Sequence, residues 1–174
     1  MPATRVVVFD MGGVLVELAP IHELLGVDLP PEEFWPRWLG STTVRAYERG
    51  DCDEGAMARG LIAELGLPLT EAEVRHRIAR FPRGLYPGAA ELVRAVVDGV
   101  ATAILSNTNH AHWEHQIDAE VIQGLFDHEF LSYRMGVVKP DAAIFERMVA
   151  TLAVAPAEIV FLDDNQINVD AARN

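Results

Sequence analysis

The 174-residue sequence contains a single cysteine, Cys52, so no intramolecular disulfide is possible. Cys52 stands between Asp51 and Asp53, and neighbouring carboxylates raise the pKa of a thiol, which argues against a reactive cysteine. A chain without disulfides is typical of a reducing compartment. We therefore expect a cytoplasmic protein.

Positive charge is also scarce, since 14 lysine and arginine residues stand against 26 aspartate and glutamate residues, for a formal net charge of −12. A protein that binds nucleic acid needs a basic face to neutralise phosphates, so this composition argues against nucleic acid as a partner. A small phosphate can still bind where a lysine, a helix N-terminus or a divalent metal makes the site locally positive.

Long apolar runs are missing as well. The run that precedes Asp10 is too short for a signal sequence or a membrane span, and no later run reaches the required length, so we expect no membrane association. Half of the residues are nevertheless hydrophobic, which is enough for a packed core. The length favours one core domain with a modest insertion, and it leaves the oligomeric state open.

Four short runs, rich in β-branched residues and closed by polar residues, have the pattern of buried parallel strands. These strands are predicted at residues 5–9, 100–105, 128–131 and 159–162. Helical patterns lie between them at residues 89–97, 113–123 and 142–152. Strands that alternate with helices predict an α/β protein with a Rossmann-like open parallel sheet.

Residues 18–86 interrupt this alternation. They show no convincing strand, and prolines and glycines separate four helix-like patterns, at residues 31–39, 43–49, 54–65 and 70–80. We interpret this segment as a helical cap inserted after the first strand, so that the core domain comprises residues 1–17 and 87–174. Aromatic residues of the cap are expected to pack between its helices, and Arg45 is expected to be solvated. The aromatic residues are Phe34, Trp35, Trp38 and Tyr47.

The C-terminal residues 165–174 begin a helix after the last predicted strand. A doubly wound sheet would normally add a further strand there. We therefore expect a truncated chain.

Polar residues follow three of the predicted strands where each strand ends. Asp10 follows the first strand, Ser106 and Asn107 follow the second, and Asp163 and Asp164 follow the last. Ligands of open α/β sheets bind at this carboxyl edge. Lys139, in the segment GVVKP just before a predicted helix, is expected to join them.

These residue types suit one chemistry. Clustered carboxylates repel one another unless a cation joins them, and oxygen ligands suit Mg²⁺, which also accepts phosphate oxygens. A carboxylate can attack phosphorus and form an aspartyl-phosphate. A metal, a lysine and hydroxyl or amide donors would stabilise the charge on the transferred phosphoryl group.

The segments FDMGGVL, LSNTN, VVKP and FLDDN resemble the four ordered motifs of the haloacid dehalogenase-like (HAD) hydrolase superfamily, and the resemblance covers nearly the whole chain. Four motifs in the right order are a specific signal. The sequence is most similar to a helical-cap subgroup related to bacterial α-glucose-1-phosphate phosphatase. The resemblance implies a magnesium-dependent phosphomonoester hydrolase that acts on a small phosphorylated metabolite such as a sugar phosphate.

The resemblance also implies roles for individual residues. Asp10 matches the nucleophile and a metal ligand, and the backbone carbonyl of Gly12 matches a second ligand. Asp164 matches the direct metal ligand of the last motif, with Asp163 close to the metal through the lysine or a water molecule. Ser106 and Asn107 match residues that bind the phosphate, and Lys139 matches the lysine that steadies the nucleophile and the phosphoryl group. Asn165 and Asn168 match residues that position the loop of the last motif.

One position departs from the family pattern. Most phosphatases of this superfamily carry a second aspartate two residues after the nucleophile, which protonates the leaving oxygen and then activates water. This chain has Gly12 there. General acid–base catalysis contributes about 10²–10⁴-fold, so slow turnover or a substitute donor is expected. The candidates are His22, Glu17, Glu48 and the substrate itself.

Two other functions stay open. Dehalogenases of the same superfamily also lack the second aspartate and carry Ser-Asn in the second motif, so 2-haloacid dehalogenation by Asp10 is an alternative. They need no metal, however, and the pair Asp163-Asp164 argues against that reaction. The third possibility is a catalytically weak protein that binds phosphate, with Gly12 marking lost catalysis.

Simpler explanations exist for several motifs. An Asp-Asp pair after a strand can be a helix N-cap, but Asp10 and Lys139 favour a site. Gly12-Gly13 lacks the GxGxxG spacing of a dinucleotide loop, and Ser106 has no GxSxG context. The segment NHAHWEH lacks the HExxH spacing of a zinc site, so its histidines are interpreted as a polar helix face, with His110 close enough to the second motif to contact substrate.

Overall fold

The computed structural model describes residues 3–115 and 118–174. Its strands are β1 (Val6–Phe9), β2 (Val16–Leu18), β3 (Pro82–Leu85), β4 (Ala101–Ser106), β5 (His128–Leu131) and β6 (Ile159–Leu162). Four of them form a parallel sheet in the spatial order β5-β4-β1-β6, and β2 pairs with β3 in a separate antiparallel ribbon. The predicted α/β fold with an open parallel sheet is therefore confirmed.

The helices are α1 (Ile21–Leu25), α2 (Pro31–Gly40), α3 (Thr42–Glu48), α4 (Glu54–Leu65), α5 (Glu71–Ile78), α6 (Ala89–Arg94), α7 (His110–His115), α8 (Ala119–Gln123), α9 (Ser132–Met135), α10 (Ala142–Leu152) and α11 (Gln166–Ala172). A 3₁₀ turn at Pro156–Glu158 precedes β6. Among the described residues, none of these helices has the length and apolarity that crossing a bilayer requires.

The central strands are buried because both faces of the sheet are covered, as is usual for parallel strands. On one face, Val8 and Leu105 pack in a cluster with Ile144 of α10. On the other face, Ile104 packs against Trp113 of α7. Since β1 pairs with β4 on one side and β6 on the other, the carboxyl ends of these three strands lie side by side.

Helices α1–α5, here called the inserted helices, share an apolar cluster of their own. Their ends carry local signals: Asp53 accepts a hydrogen bond from the Ala56 N–H at 2.7 Å, and Thr70 with Glu73 forms a capping box. The buried members of the cluster are Ile21, Leu25, Phe34, Trp38, Val44, Tyr47, Met57, Ala58, Leu61, Leu67, Val74 and Ile78. The predicted packing of Phe34, Trp38 and Tyr47 is thus confirmed.

The prediction that residues 18–86 contain no strand is wrong. Strand β2 ends at Leu18, and β3 lies within the segment. Strand β2 has only three residues, and β3 contains Pro82 and Gly84, which are unfavourable in strands, so neither shows the usual alternation. They form a ribbon between the sheet and the inserted helices.

The predicted helix at residues 113–123 is two helices in the structure. Helix α7 ends at His115 and α8 begins at Ala119, where Asp118 adopts a left-handed conformation with φ 68°. Residues 116 and 117 lie outside the described residues. The helix predicted at residues 89–97 ends earlier, at Arg94.

Candidate active site

Three carboxylates meet at the carboxyl edge of the sheet. Asp10 follows β1, and Asp163 and Asp164 follow β6. The register of these adjacent strands places Phe9 beside Leu162, and the Asp10 N–H donates to the Leu162 carbonyl at 2.8 Å. One carboxylate oxygen from each of the three aspartates lies within 4.8 Å of the other two. The predicted convergence of these residues is present in the structure.

Lys139, the only lysine in the chain, lies at the centre of this cluster. It is buried, and its Nζ lies 2.8 Å from Asp10 Oδ1 and 2.6 Å from Asp163 Oδ2. Burial by itself lowers the pKa of the ammonium, but the charges of Asp10 and Asp163 outweigh it and raise the pKa above its usual value. Lys139 is therefore charged at neutral pH.

Asp163 is fully engaged by protein donors. Its Oδ1 accepts from the Asn165 N–H at 2.9 Å and from Asn168 Nδ2 at 3.0 Å. Its Oδ2 accepts from Lys139 Nζ at 2.6 Å and again from Asn168 at 3.0 Å. A carboxylate has about four acceptor positions, and these four contacts occupy them.

Asp10 and Asp164 are the carboxylates with room for another ligand. Burial raises the pKa of Asp10 to about 6, although Lys139 partly offsets this effect. Burial and then the charge of Asp163 raise the pKa of Asp164. A cation between these two groups would favour their ionised forms, and their hard oxygen atoms suit Mg²⁺.

The glycines after Asp10 allow the loop after β1 to approach the loop after β6, which carries Asp164. Gly13 has φ +78°, and a Cβ at this position would collide with the carboxylate of Asp164. Gly12 lines the same cavity as Asp10 and Asp164. The loop between β1 and β2 therefore accepts no side chain at residue 13.

Of the two residues predicted from the second motif, Asn107 lines the cavity and Ser106 does not. Asn107 lines the cavity, and its side chain accepts from the Lys139 N–H at 2.8 Å and donates to the Lys139 carbonyl at 3.0 Å. Ser106 is buried, and it is not among the residues that line the cavity. Asn107 thus fixes the backbone of the lysine segment.

A cavity of about 800 Å³ opens above the carboxylates, between the sheet edge and the inserted helices. Its floor is polar and includes Asn165 and Asn168 beside the residues already described. Its wall is largely apolar and is formed by Leu18, Trp35, Pro36, Trp38, Leu39, Val44, Phe81 and Ile167. Glu48 and Arg45 are the charged side chains that α3 adds to this wall.

Arg45 is not solvated as predicted, since its Nη2 donates to both carboxylate oxygens of Asp141 at 2.8 and 2.7 Å. The predicted polar role of His112 is also wrong. His112 is buried, with Nε2 2.9 Å from the Ile78 carbonyl and Nδ1 3.0 Å from Asn109 Nδ2, and burial lowers its pKa. Both residues connect the inserted helices to the rest of the chain.

Ser132 was not predicted as a site residue. Its hydroxyl lies 2.6 Å from the Glu48 carbonyl, to which it donates, and it accepts from the Thr108 N–H at 2.9 Å. A small polar residue directly after a predicted strand, the signal that identified Ser106, was present here too.

The fold and the site define an α/β protein with a lysine-centred acidic cluster at the carboxyl edge of its sheet. The chain belongs to the haloacid dehalogenase-like hydrolase family, which it matches over residues 4–174. The family resemblance inferred from the four motifs is thus confirmed.

Two curated relatives are phosphatases by name. The chain is 29% identical to the sesquiterpene phosphatase astK of Aspergillus oryzae, over 97% of this chain and 85% of the relative. It is 23% identical to a D-ribitol-5-phosphate phosphatase of Bacteroides thetaiotaomicron, over 94% and 84% respectively. The fold is also similar to that of a HAD family enzyme of B. thetaiotaomicron crystallised with magnesium and inorganic phosphate, with a TM-score of 0.76 at 20% identity, over 98% of this chain and 90% of that one.

Proposed function

We propose that this protein is a magnesium-dependent phosphomonoester hydrolase that acts through an aspartyl-phosphate on Asp10. The observation that carries the proposal is the contact of Asp10 Oδ1 with Lys139 Nζ at 2.8 Å, beside two further aspartates at the carboxyl edge of the sheet. With a pKa of about 6, Asp10 is mostly ionised at neutral pH and is able to act as a nucleophile. The named activities of the two curated relatives support the same reaction.

Asp10, Asp164 and the Gly12 carbonyl are the groups that would hold Mg²⁺. The ion would supply positive charge against the phosphoryl oxygens. Asp163 was expected near the metal, and its four protein donors favour an indirect role, in which it holds Lys139 in place. Lys139 and Asn107 line the cavity and are proposed to bind the phosphate and the nucleophile, whereas the buried Ser106 does not line it and is no longer proposed as a phosphate ligand.

We also propose that the inserted helices act as a cap, with residues 18–86 as one domain and residues 1–17 and 87–174 as the other. The ribbon of β2 and β3 carries both connections between them. The separate apolar cluster of α1–α5 supports this division. A cap over the carboxylates would exclude water and select the leaving group.

The substrate is proposed to be a small phosphorylated metabolite. A sugar phosphate needs hydrogen-bond partners for its hydroxyl groups, and the wall of the cavity offers Trp35, Trp38, Leu39 and Phe81 instead. An apolar alcohol would bury more surface there, and the name of the A. oryzae relative agrees with such a substrate. We therefore favour phosphate esters of apolar alcohols over the sugar phosphates that the motif resemblance first implied.

The test is phosphate release from two matched sets of substrates, alkyl or terpenyl phosphates and sugar or polyol phosphates, with and without Mg²⁺. We expect magnesium-dependent turnover that is fastest with the apolar esters and is lost in Asp10→Asn. Chloride release from a 2-haloacid in the presence of a chelator would favour the dehalogenase alternative. Tight binding of phosphate without any turnover would favour the non-enzymatic alternative.

A further inference from the structure

The proposed reaction leaves one requirement unmet at residue 12. An alkoxide is a poor leaving group unless a proton reaches it, and the hydrolytic water must lose a proton in the second half of the reaction. Gly12 has no side chain for either task. The reaction therefore needs another acid within the cavity.

In the part of the chain that the structure describes, three carboxyl groups line the cavity: those of Asp10, Asp164 and Glu48. Asp10 and Asp164 already have roles as nucleophile and metal ligand. Two other candidates, Glu17 and His22, are not among the residues that line the cavity. Glu17 pairs with Arg83 at 3.0 Å, with both side chains about half exposed, and His22 is packed beside Phe34 within the inserted helices. Among the described residues, Glu48 is therefore the one side chain that has both the chemistry and the position.

One hydrogen bond and one close approach of the backbone place Glu48 beside the end of β5. Glu48 is the last residue of α3, and its carbonyl accepts a hydrogen bond from the Ser132 hydroxyl, directly after β5. Two residues later, Gly50 has φ +77°, and a Cβ there would approach the Tyr133 carbonyl to 2.8 Å. The chain after α3 therefore lies close on α9, which fixes where the Glu48 side chain enters the cavity.

The surroundings of Glu48 favour an exchangeable proton. Burial raises the pKa of Glu48 to about 7, although Lys139 and Arg45 lower it, and Asp10 adds to the rise. Arg45 is engaged by Asp141 through two hydrogen bonds, and the neighbouring His112 has a lowered pKa, so neither competes as the proton donor. Within the described part of the chain, the Glu48 carboxyl makes no side-chain hydrogen bond that would hold its proton in place.

We propose that Glu48 protonates the leaving alcohol and then deprotonates the hydrolytic water, an inference that rests on the proposed phosphatase function. In the first half-reaction, an Asp10 oxygen bonds to phosphorus, the bond from phosphorus to the alcohol oxygen breaks, and Glu48 gives that oxygen its proton. In the second, water adds to phosphorus, the bond to Asp10 breaks, and the Glu48 carboxylate takes a proton from the water. The sum converts ester and water into alcohol and inorganic phosphate, and both carboxyl groups return to their starting forms.

The test compares Glu48→Gln with wild type on an alkyl phosphate and on p-nitrophenyl phosphate, whose leaving group needs no proton. We expect the variant to lose about 10²–10⁴-fold in kcat on the alkyl phosphate. With p-nitrophenyl phosphate it should release about one equivalent of nitrophenol in a rapid burst and then turn over slowly, because the water lacks its base. Intact mass spectrometry should detect the accumulated phosphoenzyme. Glu17→Gln is the matched control and should behave as wild type.

A second variant restores the proton donor at the position where it is missing. The Cβ of Gly12→Asp would meet Leu18 Cδ1 at 2.9 Å, and this methyl group is the end of a flexible side chain that is able to move. We expect Gly12→Asp to restore turnover of the alkyl phosphate in the Glu48→Gln background. Unimpaired Glu48→Gln, or an equal loss on both esters with no burst and no restoration, would overturn the role of Glu48.

The outcome separates the two proposals. If wild type with Mg²⁺ releases no phosphate, the phosphatase function itself fails, whereas an active wild type with an unimpaired Glu48→Gln removes only Glu48. If Glu48→Gln does not fold, the role of Glu48 is tested by single-turnover rates of wild type, measured as a function of pH. Phosphoryl transfer from the alkyl phosphate should slow with rising pH as Glu48 loses its proton, and transfer from p-nitrophenyl phosphate should not. Identical pH profiles for the two esters would contradict the proposal.

Discussion

Lys139 balances the charge of two buried carboxylates, and its removal is therefore expected to affect stability as well as activity. Asp163 has no exposed side-chain surface and Asp10 very little. A buried pair that loses one partner leaves an uncompensated charge in a medium that solvates it poorly. The single lysine of the chain is therefore a structural requirement of the site, whatever it contributes to the transfer of phosphate.

We predict that Lys139→Met lowers the free energy of unfolding by about 3–5 kcal/mol at pH 7. The loss should shrink at acid pH, where Asp10 is protonated and no longer needs a partner. Urea denaturation at pH 7 and pH 5 measures both values. Adding Asp163→Asn to Lys139→Met should recover part of the loss, because it removes one unpaired charge. A cost within error of zero at pH 7 would show that the pair is not buried as described.

Whereas Lys139 stabilises the folded protein at neutral pH, the buried carboxyl of Glu48 is expected to destabilise it there. Its pKa is about 7 in the folded protein, above the usual value of 4.5, so the folded state holds a proton that the unfolded state releases. Stability that depends on this proton is present below the usual pKa and is lost as the pH rises towards 7. We predict that wild type loses stability relative to Glu48→Gln over this range, by at most about 1.4 kcal/mol per pH unit. Parallel stability curves between pH 4.5 and 7 would contradict the raised pKa.

At the scale of elements, the parallel strands were predictable because each is a continuous apolar run that ends in a polar residue. Strands β5 and β6 agree with the predicted bounds, and Asp10 and Asp164 were found through the ends of β1 and β6. The ribbon of β2 and β3 was missed because its strands are short and owe their pairing to each other rather than to a local pattern. Contacts such as Arg45 with Asp141 span 96 residues and leave no trace in local sequence.

In helix α7, a contact with a residue distant in sequence gives His112 a structural role that its local sequence does not indicate. His112 lies in a polar-looking segment, yet its ring is buried between Asn109 and the Ile78 carbonyl at the end of α5. The arrangement requires a neutral ring, with Nε2–H donating to Ile78 and Nδ1 accepting from Asn109, and the lowered pKa agrees with this form. His112 therefore joins α5, one of the inserted helices, to α7, the helix that follows β4.

We predict that His112→Leu lowers the free energy of unfolding by about 1–3 kcal/mol, because the Ile78 carbonyl loses its buried donor. Thermal and urea denaturation should detect the change. The exposed His115→Leu in the same helix is the control and should stay within about 0.5 kcal/mol of wild type. Any stabilisation by zinc, which the carboxylates beside Asp10 could also bind, should be equal in wild type and His112→Leu, since among the described residues the three histidines form no group of metal ligands. Zinc-dependent stabilisation that His112→Leu abolishes would contradict the packing role.

For the whole molecule, the net charge of −12 makes stability depend on salt concentration, and this dependence must be separated from the effect of specific metal binding. Any salt screens the mutual repulsion of the surface carboxylates and stabilises the fold somewhat. A specific magnesium site behaves differently, because binding to the folded state alone raises stability with the logarithm of concentration above the dissociation constant. The two effects are separable only when ionic strength is held constant.

We predict that Mg²⁺ raises the melting temperature of wild type at constant ionic strength, with a gain of about 2.7 kcal/mol when its concentration is 100 times the dissociation constant. Asp164→Asn should abolish this gain, because it removes one of the two carboxylates with room for a ligand, while leaving the response to KCl unchanged. Asp163 is saturated by Lys139, Asn165 and Asn168, so its oxygen atoms are not available to replace those of Asp164. Differential scanning fluorimetry with Mg²⁺ exchanged for KCl measures both responses. An equal magnesium effect in wild type and Asp164→Asn would mean that the cation acts on the acidic surface as a whole, and the cluster beside Asp10 would then no longer be the site at which magnesium binds.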